Sequence, residues 1–226
     1  MQILILAATN QEIQPFIDFL EKSGKKNNFF SYHFSGHDCF PVVTGVGATM
    51  TAFGIARVSN IKSIQLAIQI GIAGSYDFDL KLGDTVRVEK DRFADLAIEY
   101  PDEKFKDIYQ ENLTDGNYYP FQNQGWIHEH KTEHIITTFP YVPSITVNTT
   151  SGSTKTIQRN HVNYNPTLET MEGAGCFYAC KMLDVPVLQL RSISNYVIPR
   201  DKSTWNIPLA LGNLTDALVQ TIQNLG

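Results

Sequence analysis

Three polar side chains in this sequence stand beside short apolar runs or small residues, where they could do chemistry. Glu12 follows the run Ile3-Leu4-Ile5-Leu6-Ala7-Ala8. A carboxylate there can activate a water molecule if a pocket is shaped around it. It can equally be a first-turn acid that favours the dipole of its own helix. Glu172 lies in Glu169-Thr170-Met171-Glu172-Gly173-Ala174-Gly175, at the mouth of a helix among small residues. Its carboxylate could accept hydrogen bonds from two neighbouring sugar hydroxyls, with Met171 packed on the sugar face, or it could be another ordinary first-turn acid. Asn195 closes the run Arg191-Ser192-Ile193-Ser194-Asn195. Its amide offers both a donor and an acceptor, or merely shapes the turn that follows.

The elements that must position these groups alternate between strand and helix. Residues 3–8 are a continuous apolar run of the kind buried on both faces of a sheet, and residues 64–72 and 185–194 read as further buried strands. Residues 29–34, 40–44, 84–89, 135–138 and 145–148 read as further strands. Residues 24–28 read as a polar turn, and Gly36-His37-Asp38 as a hairpin turn. Helical spacing marks residues 11–21, with Asn10 as the expected cap, and also 49–60, 151–159, 171–183 and 205–225. Residues 93–134 are rich in polar and aromatic types and are read as an irregular excursion within one domain spanning 1–226. The pattern predicts an α/β class, a three-layer α/β/α domain with a mixed, strongly twisted central sheet. Ligands in such folds bind beyond the carboxyl ends of the strands. Inspection therefore falls on residues 8–12, 44–48, 71–75 and 194–201.

Composition narrows the partners. The chain has 226 residues, 42% of them hydrophobic, and a formal charge of -5. That is enough apolar content for a core and the wrong charge for a duplex nucleic-acid binder. No apolar run is long enough to span a bilayer, and the first one lacks the flanks of a signal peptide. With three cysteines, the expectation is a cytoplasmic protein, and Cys176 and Cys180 are read as small buried hydrophobes. His128-Glu129-His130 looks like a metal clip but is read as solvated loop, so neither a metal nor a cofactor is expected. Gly45-Val46-Gly47 resembles the start of a dinucleotide fingerprint, but Met50 stands where its third glycine belongs. A plain turn, or one that admits a ligand to the backbone, remains.

Taken together, Glu12, Gly71-Ile72-Ala73-Gly74, Met171-Glu172-Gly173-Ala174 and Arg191-Ser192-Ile193-Ser194-Asn195 resemble the nucleoside phosphorylase and nucleosidase superfamily. The run Ser194-Asn195-Tyr196-Val197, with Pro199-Arg200-Asp201, Trp205 and Ile207-Pro208-Leu209-Ala210-Leu211, narrows the resemblance to the futalosine hydrolases of menaquinone biosynthesis.

That resemblance implies hydrolysis of the N-glycosidic bond of futalosine, with release of hypoxanthine. Glu12 would orient and deprotonate the attacking water. Glu172 would hold the ribose hydroxyls, with Met171 against the sugar, and Asn195 would face the purine. Gly71, Ala73 and Gly74 would belong to the pocket wall. The transition state would resemble an oxocarbenium ion. Related adenosine-type nucleosidases have an aspartate at position 195, which gives a proton to the base. Asn195 has no such proton, and its amide suits a 6-oxopurine. Phosphorylases of the superfamily commonly carry an arginine where this chain has Gln69, so water is the expected acceptor. Arg200 and Lys155 are candidates for the benzoate carboxylate of futalosine. A homo-oligomer, at least a dimer, is expected. The alternatives are a methylthioadenosine/adenosylhomocysteine nucleosidase and a non-catalytic nucleoside-binding protein of the same fold.

Overall fold

A computed structural model describes residues 1–28, 31–58, 60–102 and 104–225. The chain opens with β1 (Gln2–Ala7), α1 (Asn10–Ser23), β2 (Lys25–Asn28), β3 (Ser31–Phe34), β4 (His37–Val43) and α2 (Ala48–Ala56). It continues with β5 (Leu66–Ser75), β6 (Thr85–Phe93), β7 (Ala97–Glu99), β8 (Phe105–Asp107), β9 (Ile127–His128) and β10 (Tyr141–Thr146). It closes with α3 (Thr154–Tyr164), β11 (Leu168–Thr170), α4 (Gly173–Met182), β12 (Val187–Tyr196) and α5 (Ile207–Gln223).

The main sheet runs β11-β10-β6-β12-β5-β1-β4-β3-β2, with β9 added beside β6. The centre is parallel, β4 and β5 flanking β1 and β12 lying beside β5. Strand β6 runs antiparallel to β12, so the sheet is mixed. Strand β11 also pairs antiparallel with β5. Five strands (β5, β12, β6, β10 and β11) therefore close into a ring, the limit to which strong twist carries a sheet.

Helices cover both faces. Ile13, Phe16 and Leu20 of α1 and Leu214, Leu218 and Ile222 of α5 pack with Ile3, Ile5, Ile68 and Leu190 on one side. Ile55 of α2 and Ala174 and Phe177 of α4 pack with Leu4, Leu6, Val86 and Val187 on the other. The layers follow from β1 being apolar on both faces, so that each face must be covered.

Several local expectations need correction. The strand expected at 29–34 begins in Phe29 and Phe30, outside the described residues. Residues 24–28 read as a turn in sequence, but Lys25–Asn28 forms an edge strand, and its two lysines suit an unpaired edge. The hairpin turns at Ser35-Gly36, both at positive φ (52° and 82°), the geometry of a two-residue turn; His37 and Asp38 already belong to β4. The strand expected at 135–138 does not form. Ile135 closes a turn on Thr132, and its carbonyl accepts from the buried Arg87 guanidinium at 2.6 Å.

Segment 93–134 is held by two buried arginines. Arg92 pairs with Asp107 at 2.6 Å within a cage of Tyr164, Trp126 and Tyr109. Arg87 pairs with Glu129 at 2.9 Å. His128-Glu129-His130 is thus no solvated loop: its side chains diverge, His130 reaching Asp184 at 3.0 Å. Cys39, Cys176 and Cys180 are buried free thiols. Among the described residues, no helix is long and apolar enough to cross a membrane.

Candidate active site

At the carboxyl end of β1 the chain turns into α1 through a capping box. Thr9, not Asn10, is the cap. Its side chain accepts from Glu12 N–H, while the Glu12 carboxylate accepts from the Thr9 N–H at 3.0 Å and the Thr9 hydroxyl at 2.9 Å, all through Oε2 on the carboxylate. The pattern Thr-x-x-Glu ahead of an apolar helix is legible in sequence, and the expectation of Asn10 overlooked it. The other oxygen, Oε1, accepts from Ile72 N–H at 3.2 Å. Glu12 is therefore pinned between the head of α1 and strand β5, and it also lines the cavity described below.

Glu172 occupies the N-cap position of α4 but caps nothing there. Its Oε1 accepts from Gly47 N–H at 3.1 Å, across the cleft. Gly47 stands at φ 100°, a backbone region that side chains disfavour. The turn Gly45-Val46-Gly47 thus aims an N–H at a carboxylate. Glu172 Oε2 lies 3.5 Å from Arg191 Nη1. Burial pushes the Glu172 carboxyl above the ordinary range, opposed by the Arg191 charge and the Gly47 N–H; the charge of Glu12 pushes it further up.

Arg191 lies on β12 and is 1% exposed. It passes over Gly71, where a Cβ would collide with Arg191 Nη1 and come within 3.0 Å of Glu12 Oε1. The glycine is required because the guanidinium fills the place of its side chain. Sequence reasoning passed over this arginine as a support of the site. The signal was present: a charged residue inside a strand buried along its length calls for a partner.

Behind Arg191, Gln189 Oε1 stands 3.4 Å from Nη2, and Gln189 Nε2 donates to the Gly173 carbonyl at 3.0 Å. Asp91 is fully buried next to this layer. Its Oδ1 accepts from the Thr146 hydroxyl and from Arg92 N–H. Burial pushes its carboxyl up to about 7, opposed by the Thr146 hydrogen bond and the Arg191 charge.

Asn195 lies at the far end of β12, where the register with β5 shifts between Ile193 and Asn195. Such irregularities re-aim side chains beside functional sites. The Asn195 amide nitrogen donates to the Tyr196 carbonyl at 3.0 Å, and its oxygen accepts from the Ser194 hydroxyl at 2.8 Å.

These groups share one cavity of about 580 Å³, lined among others by Glu12, Met171, Glu172, Ala73, Gly74, Asn195 and Arg200. The volume suits a small organic ligand. Gly71 lies beneath this wall, under Arg191. Arg200 donates to the Thr150 hydroxyl at 3.1 Å and stands over the Trp205 ring, at the Asn195 end of the cavity. Lys155 is in the first turn of α3, outside the wall that the described residues form. Along β5 the wall runs from Ile72, whose N–H meets Glu12, to Gly74, beside the Asn195 amide. That stretch of strand spans about 7 Å, and the side chains at its two ends face the cavity from opposite ends.

A mixed sheet closed into a ring, with two carboxylates at one end of a strand-end cavity and an amide at the other, defines an α/β fold with a site beyond its strand ends. Residues 2–223 match the Phosphorylase superfamily, and the chain belongs to that family. It is 27% identical to a futalosine hydrolase of Thermus thermophilus over 99% of this chain and 96% of that protein. Its fold is similar to that of a 5'-methylthioadenosine/S-adenosylhomocysteine nucleosidase of Streptococcus pneumoniae, with a TM-score of 0.79 at 18% identity over the whole of both chains. It is also similar to futalosine hydrolase of Helicobacter pylori, with a TM-score of 0.76 at 16% identity over 99% of this chain and 97% of that one.

Proposed function

We propose that this protein hydrolyses the N-glycosidic bond of futalosine, releasing hypoxanthine and dehypoxanthinyl futalosine for menaquinone biosynthesis. The observation that carries the reading is the placement of Glu12 and Glu172 at one end of the cavity and Asn195 at the other. Glu12, held by three donors, orients and deprotonates the attacking water. Glu172 accepts from the ribose hydroxyls, with Met171 on the sugar face. As the bond breaks, positive charge grows on the ribose beside the two carboxylates, while negative charge grows on the base beside the Asn195 amide. The full-length likeness to a futalosine hydrolase supports this choice of substrate.

Water rather than phosphate is the acceptor. Arg191 is sealed below the cavity and already matched to Glu172, and Glu12 would repel an incoming anion. Of the two cations considered for the benzoate, Arg200 touches the cavity, but at its base end. The benzoate therefore lies toward Val46, at the opposite mouth.

The assembly is a homo-oligomer built on α2. That helix carries no charged residue and exposes Met50 by 57% and Phe53 by 64%, an apolar face that monomers rarely leave uncovered. Val46, just before α2, lines the cavity, so a second copy seated there closes the same mouth.

The test is chromatographic detection of hypoxanthine after mixing the protein with futalosine in phosphate-free buffer, beside inosine and methylthioadenosine. Release from futalosine supports the reading. Release only after phosphate is added would make the protein a phosphorylase. Release from methylthioadenosine alone would make it an adenosine-type nucleosidase, and tight binding without turnover would make it a binding protein.

A further inference from the structure

Gly74 has a polar neighbour on each side in the sheet. On β11 its partner is Glu169, and on β12 its partner is Asn195. Residues directly opposite across a sheet direct their side chains to the same face, and both of these line the cavity. Strand spacing sets their backbones about 10 Å apart. Gly74 leaves the space over it to its neighbours: a Cβ there would come within 2.9 Å of Val197 Cγ2 and 3.1 Å of the Asn195 amide nitrogen. Glu169 and Asn195 thus face the cavity from the two sides of this glycine, a carboxylate on one wall and an amide on the other.

The carboxylate is built in. Glu169 is 6% exposed. Its Oε1 accepts from Ser151 N–H at 2.7 Å; its Oε2 accepts from the Ser151 hydroxyl at 2.5 Å and the Tyr76 hydroxyl at 3.0 Å. Asn160 Nδ2 donates in turn to the Ser151 hydroxyl at 3.0 Å. Burial and the neighbouring Glu169 charge push the Tyr76 hydroxyl far up, so it remains a donor. A carboxylate has about four acceptor positions. Three are filled from behind, which leaves one on Oε1. The groups already on this carboxylate are all donors, and the ligand group that meets its remaining acceptor position must be a donor too.

We propose that Glu169 accepts the N1–H of a 6-oxopurine and, together with Asn195, makes the site select 6-oxo over 6-amino bases. The proposal rests on the nucleoside hydrolase reading above and deepens it. A 6-oxopurine presents an acceptor oxygen and a donor N1–H side by side. The Asn195 amide retains a second hydrogen for the oxygen, and Glu169 takes the N–H. A 6-aminopurine reverses both: its N1 lone pair faces the Glu169 carboxylate, and its amino group faces the donor. Tyr76, Ser151 and Asn160 are positioning residues that hold the acceptor in place.

The test is calorimetric binding of free bases to the intact protein, which needs no turnover. Hypoxanthine should bind at least about 100-fold more tightly than 1-methylhypoxanthine or adenine, because a buried acceptor is left unmatched by either analogue. Glu169→Met removes the acceptor altogether and should bring hypoxanthine and adenine within about tenfold of each other. Tyr76→Phe should weaken hypoxanthine severalfold while preserving the order of the bases. If 1-methylhypoxanthine binds the unaltered protein within about threefold of hypoxanthine, the role of Glu169 is refuted, whatever the variants do. Failure of the hydrolase reading shows separately, as base discrimination without futalosine cleavage.

Discussion

Arg191 Nη1 lies 3.5 Å from Glu172 Oε2, with both side chains shut away from solvent. The buried cation thus sits under the carboxylate assigned to the ribose. Removing one partner of a buried pair leaves the other charge uncompensated, at about 3–5 kcal/mol. Arg191→Met should therefore unfold at markedly lower urea than the parent. The double variant Arg191→Met/Glu172→Gln should recover part of that loss. Additive losses in the two single variants and the double would mean that the two groups do not interact.

Glu12→Gln separates the two duties of that residue. Glutamine at this position still completes a capping box, so the urea midpoint should stay close to that of the parent. Hypoxanthine release should fall by about 10²–10⁴-fold, since the amide cannot take a proton from water. Thr9→Ala should do the reverse in part, costing about 1 kcal/mol of stability through the lost cap. Equal activity of Glu12→Gln and the parent would remove Glu12 from the chemistry.

Asp91 should make stability depend on pH. Its carboxyl is raised in the folded protein from 3.8 to about 7, so the folded state holds the proton more tightly than the unfolded chain. The stability it contributes is complete below the unfolded value and is lost as pH rises through the folded one. Urea midpoints measured across that window should fall toward neutral pH in the parent. Asp91→Asn should flatten the trend, and an unchanged slope would assign it to other groups.

Phe53→Glu tests the α2 face. A charge at the centre of an apolar contact opposes association. Sedimentation should show the parent as an oligomer and the variant as a monomer, with the melting temperature of the separated chain reported alongside. An oligomer unaffected by the change would move the interface elsewhere.

The layered class and its strand ends were readable because β1 is apolar at all but its first residue and β5 and β12 are mostly apolar along their first halves, as strands covered on both faces require. The short strand β11 was not readable: its three residues carry no period, and the pairing with Gly74 that makes them a strand is remote in sequence. The same blindness hid Glu169, which looks like any acid near a helix start until Ser151 and Tyr76 are seen folded against it. Arg191 was visible as an anomaly within an apolar run, but its partner Glu172 was not. The false strand at 135–138 shows the opposite failure. Its β-branched residues fit the propensity, yet Arg87 claims the carbonyl of Ile135 and bends the backbone into a turn.

Gly71 and Arg191 occupy one space between them, and this orders the paths by which the sequence can change. While the arginine is present, no side chain can appear at position 71. Shortening position 191 first clears the nearer obstacle, leaving Glu12 Oε1 to give way by a few tenths of an ångström. Once the hollow is filled, the guanidinium has no way back without a second, prior reversal. The hollow over a single hydrogen atom thus acts as a ratchet, tying two positions 120 residues apart into one inherited unit.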